Sequence, residues 1–268
     1  MAHFSGTVTL ITGASSGIGR ALALEIARLG GNVILAARRL DRITIVAEEI
    51  QLLGRQALPV PCDVNRDGDL EAVVDLALKK FGHIDYVVAN AGFGVAGRFE
   101  NLTLEDYRRQ FETNIFGVLR TIRATKSSLI LSKGCIALIG SVNGYIATPR
   151  LSAYAMSKHA IHGLADSLRH ELRAHGIAVT LIVPGFIESE IRKVDKHGVY
   201  HAELKDRIPK WLRMSADRAA RMTAQALLKR KREKILTIHA VLMILLQRHL
   251  PCFVNMVIAR SGGRKLPD

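Results

Sequence analysis

Short apolar runs alternate with longer amphipathic stretches along most of this chain, and this alternation restricts its fold more than any other feature. Parallel strands that are buried on both faces appear as continuous apolar runs, and helices usually make the crossover connections between them. The pattern therefore predicts an α/β fold: one doubly wound parallel sheet with helices on both faces. The predicted strands are Val8–Ile11, Asn32–Ala36, Ala57–Pro61, Tyr86–Ala89, Cys135–Ile139, Ala178–Val183 and Ile235–Ile238. The predicted helices are Arg20–Leu29, Arg42–Leu53, Asp67–Phe81, Leu104–Lys126, Ala153–Ala174 and Ala216–Lys231.

Length and composition fit one domain over residues 1–268, because the chain has no linker or repeat and 49% of its residues are hydrophobic. The three cysteines, Cys62, Cys135 and Cys252, are far apart and fit neither a disulfide framework nor a metal site. We expect buried, reduced thiols and no bound metal. Met1–Gly6 is too short and polar for a signal peptide, so we expect a cytoplasmic protein.

The net charge of +14 is concentrated near the C-terminus. Residues 1–190 hold 20 Lys and Arg against 18 Asp and Glu, whereas residues 191–268 hold 18 against 6. A nucleic-acid-binding domain would spread basic residues over its binding surface, and no zinc or aromatic RNA-binding motif accompanies them here. The distribution therefore argues against a nucleic-acid partner.

A glycine-rich stretch, TGASSGIG at Thr12–Gly19, follows the first predicted strand and opens the first helix. Glycine permits the tight turn and the close approach of backbone amides to a pyrophosphate, and the helix N-terminus adds positive potential. A plain structural turn is the alternative. The residues expected around the phosphates are Gly13, Ser15, Ser16, Gly17, Ile18 and Gly19.

Two arginines, Arg38 and Arg39, follow Ala37 at the end of the second predicted strand. A carboxylate at this point would bind the ribose hydroxyls of NAD(H) and repel a 2′-phosphate, whereas a guanidinium binds phosphate in a forked pair. The sequence therefore favours NADP(H), with Arg38 the stronger candidate because it is nearer the strand. The alternative is that both arginines are solvated loop residues.

Two further strand ends carry residues that suit a cofactor. At the end of the third strand, Asp63 and Val64 could lie beside the adenine, although a helix cap is an equal alternative for Asp63. Asn90, Ala91 and Gly92 follow the fourth strand, and their small size would allow the cofactor to lie close.

Tyr154 and Lys158 lie one helical turn apart and on the same face of a predicted helix. A phenol is a poor acid or base at neutral pH, and a nearby ammonium would favour its ionised form. Tyr154 could then exchange a proton with an alcohol or carbonyl oxygen. Three nearby histidines, His159, His162 and His170, have no partner at metal-binding spacing, so we expect them to be packed or solvated.

Ser141 and Asn114 complete the candidate site. Ser141 ends an apolar strand, where its hydroxyl could bind the substrate oxygen and stabilise developing negative charge. Asn114 lies within a long predicted helix, an unfavourable place for asparagine, and its amide could hold a water linked to Lys158.

Taken together, these motifs resemble the short-chain dehydrogenase/reductase family in its branch of roughly 250 residues. They run in the family's order over about residues 5–240 and include Pro184 and Gly185 after the sixth predicted strand. The resemblance implies a Rossmann-like fold and a catalytic tetrad of Asn114, Ser141, Tyr154 and Lys158, whose lysine also binds the nicotinamide ribose. It also implies carboxamide contacts from the segment after Gly185. Ile187 and Ser189 match those positions, with serine where threonine is commoner.

The last quarter of the chain differs in character from the rest. Residues 186–214 break the apolar periodicity and match the family's variable substrate lid, a hinged flap. The extension at 229–268 begins with four basic residues, which could complement a helix C-terminus, and continues with two apolar stretches, Ala240–Leu246 and Cys252–Ala259. Each stretch is too short to span a bilayer. Peripheral membrane contact and a buried subunit interface or core are the alternatives that remain open.

The sequence therefore predicts an NADP(H)-dependent oxidoreductase, with a small and lipophilic substrate that carries a carbonyl or alcohol group. We also expect a homo-oligomer. A cofactor-binding regulator without turnover is the alternative, although such a protein would not need Tyr154 and Lys158 together. A sugar-nucleotide epimerase or dehydratase would need a larger C-terminal domain than this chain provides.

Overall fold

A computed structural model of the protein describes residues 3–204, 206 and 208–262. Seven strands and nine helices longer than one turn alternate along these residues. The strands are β1 (Val8–Thr12), β2 (Asn32–Ala37), β3 (Ala57–Pro61), β4 (Tyr86–Ala89), β5 (Cys135–Ile139), β6 (Ala178–Val183) and β7 (Glu233–Ile235). The helices are α1 (Gly17–Arg28), α2 (Leu40–Leu52), α3 (Asp69–Phe81), α4 (Leu104–Phe111), α5 (Gly117–Ser132), α6 (Ser152–Glu171), α7 (Ala216–Leu228), α8 (Ile238–His249) and α9 (Pro251–Gly262).

The seven strands form one parallel sheet in the order β3-β2-β1-β4-β5-β6-β7. Strand β1 pairs with β2 on one side and with β4 on the other, so the chain reverses its direction of winding between β1 and β4. Loops that leave the carboxyl ends of these two strands therefore diverge and open a crevice, the usual ligand site in such sheets. The predicted doubly wound fold is confirmed.

Two aliphatic cores sandwich the sheet. One packs α1, α2 and α7 against one face, and the other packs α3, α5 and α6 against the opposite face. Side chains from central strands alternate between them, as Ile11 and Leu10 of β1 do. Because both faces are covered, the central strands are buried along their length, which explains their continuous apolar sequence.

Several predicted helix ends differ from the structure by one to six residues, and two elements differ in kind. The helix predicted over Leu104–Lys126 is interrupted by a π-helical turn at Glu112–Phe116, which separates α4 from α5. The last strand is Glu233–Ile235 rather than Ile235–Ile238, and Ile238 begins α8. The edge strand pairs with Leu181–Val183 of β6.

The C-terminal region also differs from expectation. Helix α7 ends at Leu228, so the basic residues 229–232 follow the helix instead of forming its last turn. Among the residues of α8 and α9 whose burial is described, only Ala240 is fully buried, so both helices lie at the surface and only their inner faces pack on the domain. Cys252 on α9 is exposed, contrary to the expectation of three buried thiols, whereas Cys62 and Cys135 are buried.

Within the described residues, no single helix is long and apolar enough to span a membrane. One pair of helices, Ile238–His249 and Pro251–Arg260, is long and apolar enough when taken together, but the pair is bent by 116°.

Candidate active site

A cavity of about 540 Å³ lies at the carboxyl ends of the central strands. This volume falls in the range of roughly 300–1,000 Å³ that is usual for small-molecule sites. It runs from the glycine-rich loop after β1 to the start of α6. Gly19 and Asn114 are the two predicted site residues that do not line the cavity. The predicted residues that line it are Gly13, Ser15, Ser16, Gly17, Ile18, Arg38, Arg39, Asp63, Val64, Asn90, Ala91, Gly92, Ser141, Tyr154, Lys158, Pro184, Gly185, Ile187 and Ser189.

The glycines of the loop are required by its geometry. Gly13 and Gly17 have φ angles of 66° and 53°, in the left-handed region that residues with a Cβ rarely adopt. A Cβ at Gly19 would lie 2.5 Å from the carbonyl oxygen of Gly13. The close packing of α1 on the loop therefore requires glycine at position 19, although the residue does not line the cavity. Ser16, the N-cap of α1, makes no side-chain capping bond. The first-turn amides of α1 are therefore available to an anionic group such as a pyrophosphate.

Asn90 joins the end of β4 to the glycine-rich loop. Its side-chain nitrogen donates to the carbonyl oxygens of Thr12 and Gly13 at 2.9 and 3.1 Å. In return, the Thr12 hydroxyl accepts from the amides of Asn90 and Ala91, both at 3.1 Å. These bonds hold the two loops together on either side of the crevice, a structural role that the sequence did not indicate for Asn90.

The two arginines after β2 differ in their surroundings. The Arg38 side chain is exposed and makes no ion pair with any described residue, whereas Arg39 donates to the Ser15 hydroxyl at 2.9 Å and to Glu190 at 3.1 Å. Glu190 also pairs with Arg42 at 2.7 Å. Burial alone would raise the pKa of Glu190, but the bonds from Arg42 and Arg39 outweigh it and lower that pKa. Glu190, which the sequence did not single out, thus joins the lid to the wall that carries Arg39.

Asp63 lies on the cavity wall and forms a local turn. Its carboxylate accepts from the Asn65 amide at 3.1 Å, and its own amide donates to Asp69 at the start of α3 at 2.8 Å. The residue therefore forms the turn before α3 and faces the cavity. It does not cap the helix, because the N-cap of α3 is Gly68, which makes no side-chain capping bond.

Tyr154, Ser141 and Lys158 meet at the inner end of the cavity. Ser141 lines the cavity together with Tyr154. The Lys158 ammonium lies 5.6 Å from the centre of the Tyr154 ring and donates to the Ile139 carbonyl at 2.7 Å. Burial raises the pKa of Tyr154, and the smaller effects of Ser141 and of the charge of Arg192 lower it. The net shift is upward, whereas the sequence predicted that a nearby ammonium would lower this pKa. Burial also lowers the pKa of Lys158 to about 8.

Asn114 lies in the π-helical turn between α4 and α5, and such turns are frequent at functional sites. Its side-chain nitrogen donates to the Phe93 carbonyl and the Ser157 hydroxyl at 3.1 and 3.2 Å, and its oxygen accepts from the Phe93 amide at 3.1 Å. The buried amide therefore fixes the loop after β4 against α6, beside Lys158. Both donor bonds of the side-chain amide therefore go to protein groups, whereas the sequence predicted that the amide would hold a water linked to Lys158.

His162 supports the loop that carries Ser141, although the sequence suggested only a packed or solvated residue. Its Nε2 accepts from the Ser141 amide at 3.5 Å, and its ring packs edge-on against Tyr145 at 4.6 Å. A Cβ at Gly140 would lie 2.6 Å from the ring. Burial lowers the pKa of His162 to about 4, helped by the charge of Lys158, so the ring is neutral at physiological pH.

The predicted lid begins beside the cofactor cavity and is pinned at both ends by the bridge between Ile187 and Met214. Within it, Arg192 and Arg213 share the Asp206 carboxylate at 2.6 and 2.9 Å. The centre of the Tyr200 ring lies 5.6 Å from the guanidinium carbon of Arg42, which pairs with Glu190. The described residues of this segment therefore contact the cavity wall and carry an ion-pair network of their own.

Comparison with known proteins agrees with this geometry. Residues 7–199 match the family model described as short chain dehydrogenase. The chain is 39% identical over 189 residues to an 11-beta-hydroxysteroid dehydrogenase A of Sesamum indicum, covering 70% of this chain and 54% of that protein. It is 38% identical over 193 residues to an uncharacterized oxidoreductase of Myxococcus xanthus, covering 71% of this chain and 76% of the relative.

Two solved structures share the fold over most of their length. One is a short chain dehydrogenase/reductase from Burkholderia phymatum in complex with NAD, with a TM-score of 0.83, 25% identity and coverage of 94% of this chain and 96% of that one. The other is an alcohol dehydrogenase from Thermococcus sibiricus complexed with 5-hydroxy-NADP, with a TM-score of 0.75, 30% identity and coverage of 86% and 95%. The chain spans about half the length of the hydroxysteroid dehydrogenases it matches. With its glycine-rich loop, its serine, tyrosine and lysine in one cavity, and a family match over most of its length, the chain belongs to the short-chain dehydrogenase family.

Proposed function

We propose that this protein is an NADP(H)-dependent oxidoreductase that interconverts a carbonyl and an alcohol on a lipophilic small molecule. The observation that carries the proposal is the placement of Tyr154, Ser141 and Lys158 together in the cavity that the open end of α1 also faces. The glycine-rich loop fits a dinucleotide, because the first turn of α1 lines the cavity and Ser16 makes no side-chain capping bond to its amides.

Each residue of the inner cavity has a role in this reaction. A bound nicotinamide would supply or accept the hydride. Tyr154 would donate a proton from its phenolic oxygen to the substrate oxygen in reduction and take it back in oxidation. Ser141 would hold the same oxygen by its hydroxyl and stabilise its developing negative charge. Lys158 would orient the nicotinamide ribose and counter the burial that raises the pKa of Tyr154.

The preference for NADP(H) is supported by Arg38 and Arg39 at the end of β2, where Ala37 replaces a carboxylate. Arg38 is exposed beside the cavity, and Arg39 already donates to the phosphate loop through Ser15. A 2′-phosphate between them would receive charge-assisted hydrogen bonds. Among the described residues, Glu190 is the only carboxylate that pairs with Arg39.

The substrate class is supported by the relatives and by the surface near the site. Several relatives of 37–39% identity are named hydroxysteroid dehydrogenases, and steroids are lipophilic. We infer a homo-oligomer from exposed apolar side chains along α4, the π-helical turn and α5, at Leu104, Phe116 and Leu131.

A cofactor-oxidation screen tests the activity. Purified protein is incubated with NADPH and separate panels of ketones, aldehydes and keto-lipids, and turnover is followed together with cofactor affinity. Tyr154→Phe keeps the ring volume and removes the transferable proton, so we expect turnover to fall by about 10²–10⁴-fold with the NADPH dissociation constant unchanged. Tyr107→Phe, a tyrosine of α4 outside the cavity, is the matched control.

Two outcomes would contradict the proposal. Retention of more than about a tenth of wild-type turnover in Tyr154→Phe would show that another group supplies the proton. Tight cofactor binding without turnover of any panel would favour the regulatory alternative.

A further inference from the structure

Helices α8 and α9 form a C-terminal hairpin, residues 238–260, whose outer face is apolar and is exposed among the residues that the structure describes. On α8 the exposed side chains are Ile238, Val241, Leu242, Leu245 and Leu246, at spacings of three and four residues that place them on one face of the helix. Leu250, between the two helices, and Phe253 and Met256 of α9 continue the exposed surface. The inner face is apolar as well: Met243 and Ile244 of α8 and Val254 and Ile258 of α9 pack on a small core with Val142, Ile146 and Ala240. Helices that are apolar on both faces need a second apolar environment.

The charge around the hairpin is almost entirely positive. Residues 229–262 hold seven Lys and Arg and one acidic residue, Glu233. Two of the seven are engaged by the body of the protein: Arg230 donates to the Lys133 carbonyl, and Arg232 pairs with Asp166. Lys229 and Lys231 are exposed and make no ion pair with any described residue. Arg248 and Arg260, at the end of α8 and near the end of α9, are exposed as well.

Exposed apolar side chains together with positive charge favour an anionic membrane over a second copy of the chain as the partner of this face. A second copy would place positive charge against positive charge across a symmetric interface, because the same patch meets itself. An anionic bilayer offers acyl chains to the apolar side chains and negative headgroups to the lysines and arginines. The two short helices, bent by 116°, suit a segment that lies in the headgroup region.

The hairpin is also joined to the candidate active site. The His239 Nε2, near the start of α8, accepts from the Phe186 amide at 3.2 Å, and the two rings stack at 5.1 Å. A Cβ at Gly185 would lie 2.5 Å from the same nitrogen. Val142, which packs under the hairpin together with Ile146, directly follows Ser141. The exposed face therefore begins beside the loops that carry Ser141 and Gly185.

We propose that the C-terminal hairpin docks on an anionic membrane and that the active site takes its lipophilic substrate from that membrane. Docking stands on the exposed side chains and the charge alone; the substrate class rests on the proposed function. The contacts of His239 and Val142 bring the substrate-binding loops to the membrane surface when the hairpin is docked.

Vesicle flotation of the full chain tests the docking. We compare vesicles of phosphatidylcholine alone with vesicles that also contain phosphatidylserine, at low and high salt. We expect binding to the anionic vesicles, weakened by salt and not abolished, because screening acts on the charges and leaves the buried apolar area unaffected. The triple variant Leu242→Ser, Leu245→Ser and Phe253→Ser should lower the partition coefficient by at least about tenfold.

The matched control replaces exposed aliphatic residues of α2 and α3, as Ile45→Ser, Leu52→Ser and Leu76→Ser, and should float as the wild type does. Circular dichroism and light scattering check the fold and oligomeric state of each variant. The proposal fails if the wild type ignores anionic vesicles at low salt, or if both triple variants lose binding equally. It also fails if the hairpin variant alone dissociates an oligomer, which would assign the face to a second copy. Tyr154→Phe should float normally, so loss of turnover and loss of docking are separate results.

Discussion

Replacement of Arg38 by alanine is the sharpest test of the proposed cofactor preference. The Arg38 guanidinium follows β2 and lines the cavity without an ion-pair partner among the described residues, so a 2′-phosphate would be its first charged partner. Arg39 is different, because Glu190 already pairs with it at 3.1 Å and a phosphate would have to compete with that carboxylate. A hydrogen bond to a charged group contributes about 1.5–3 kcal/mol. Arg38→Ala should therefore weaken NADPH binding by roughly ten- to hundred-fold, and Arg39→Ala by less.

The assay is calorimetric or fluorescence titration of the purified protein with NADPH and with NADH. Only the 2′-phosphate distinguishes the two cofactors, so Arg38→Ala should raise the dissociation constant for NADPH and leave that for NADH unchanged. Arg20→Ala removes an arginine of α1 that pairs with Glu49, outside the cavity, and serves as the matched control. Tighter binding of NADH than NADPH by the wild type, or an unchanged NADPH affinity in Arg38→Ala, would refute the reasoning.

Three further predictions concern residues around the same cavity. Lys158→Ala should reduce both turnover and cofactor affinity, unlike Tyr154→Phe, because one ammonium would serve the phenol and the ribose; paired kcat and Kd measurements separate the two effects. Burial lowers the pKa of His162 to about 4, so the folded protein resists its protonation and stability should fall by up to ~3 kcal/mol as pH drops from about 6.5 to 4. Urea unfolding across that range should show the loss in the wild type and a flatter curve in His162→Leu. Glu190→Gln removes the carboxylate that pairs with Arg39 and Arg42, so NADPH should bind about two- to fivefold tighter and NADH should be unaffected; equal changes for both cofactors would contradict this.

The sequence alone was sufficient for the order of strands and helices and for most residues of the cavity. Buried parallel strands are continuous apolar runs, so six strands could be located within one residue of their ends, and the residues that follow them meet at one edge because the strands are parallel. Glycine positions such as Gly13 carried a signal of their own, because a left-handed backbone or a close approach to backbone excludes other residues.

Other features depend on residues that are distant in the chain, and only the tertiary structure could decide them. Glu190 pairs with Arg39 across 151 positions, and His162 reaches the Ser141 amide from the next helix. The raised pKa of Tyr154 has the same origin, since desolvation depends on the atoms that surround the phenol in space.

The apolar stretches near the C-terminus show this division most clearly. Their composition predicted burial or membrane contact equally well, because hydropathy records the preference of a side chain and not its neighbours. Tertiary packing distinguishes the two faces of α8. Met243 and Ile244 pack in a small core with Val142 and Ile146, whereas Leu242 and Leu245 are exposed. Local propensity determines which segments form strands and helices, and contact between distant segments determines which of their faces are covered.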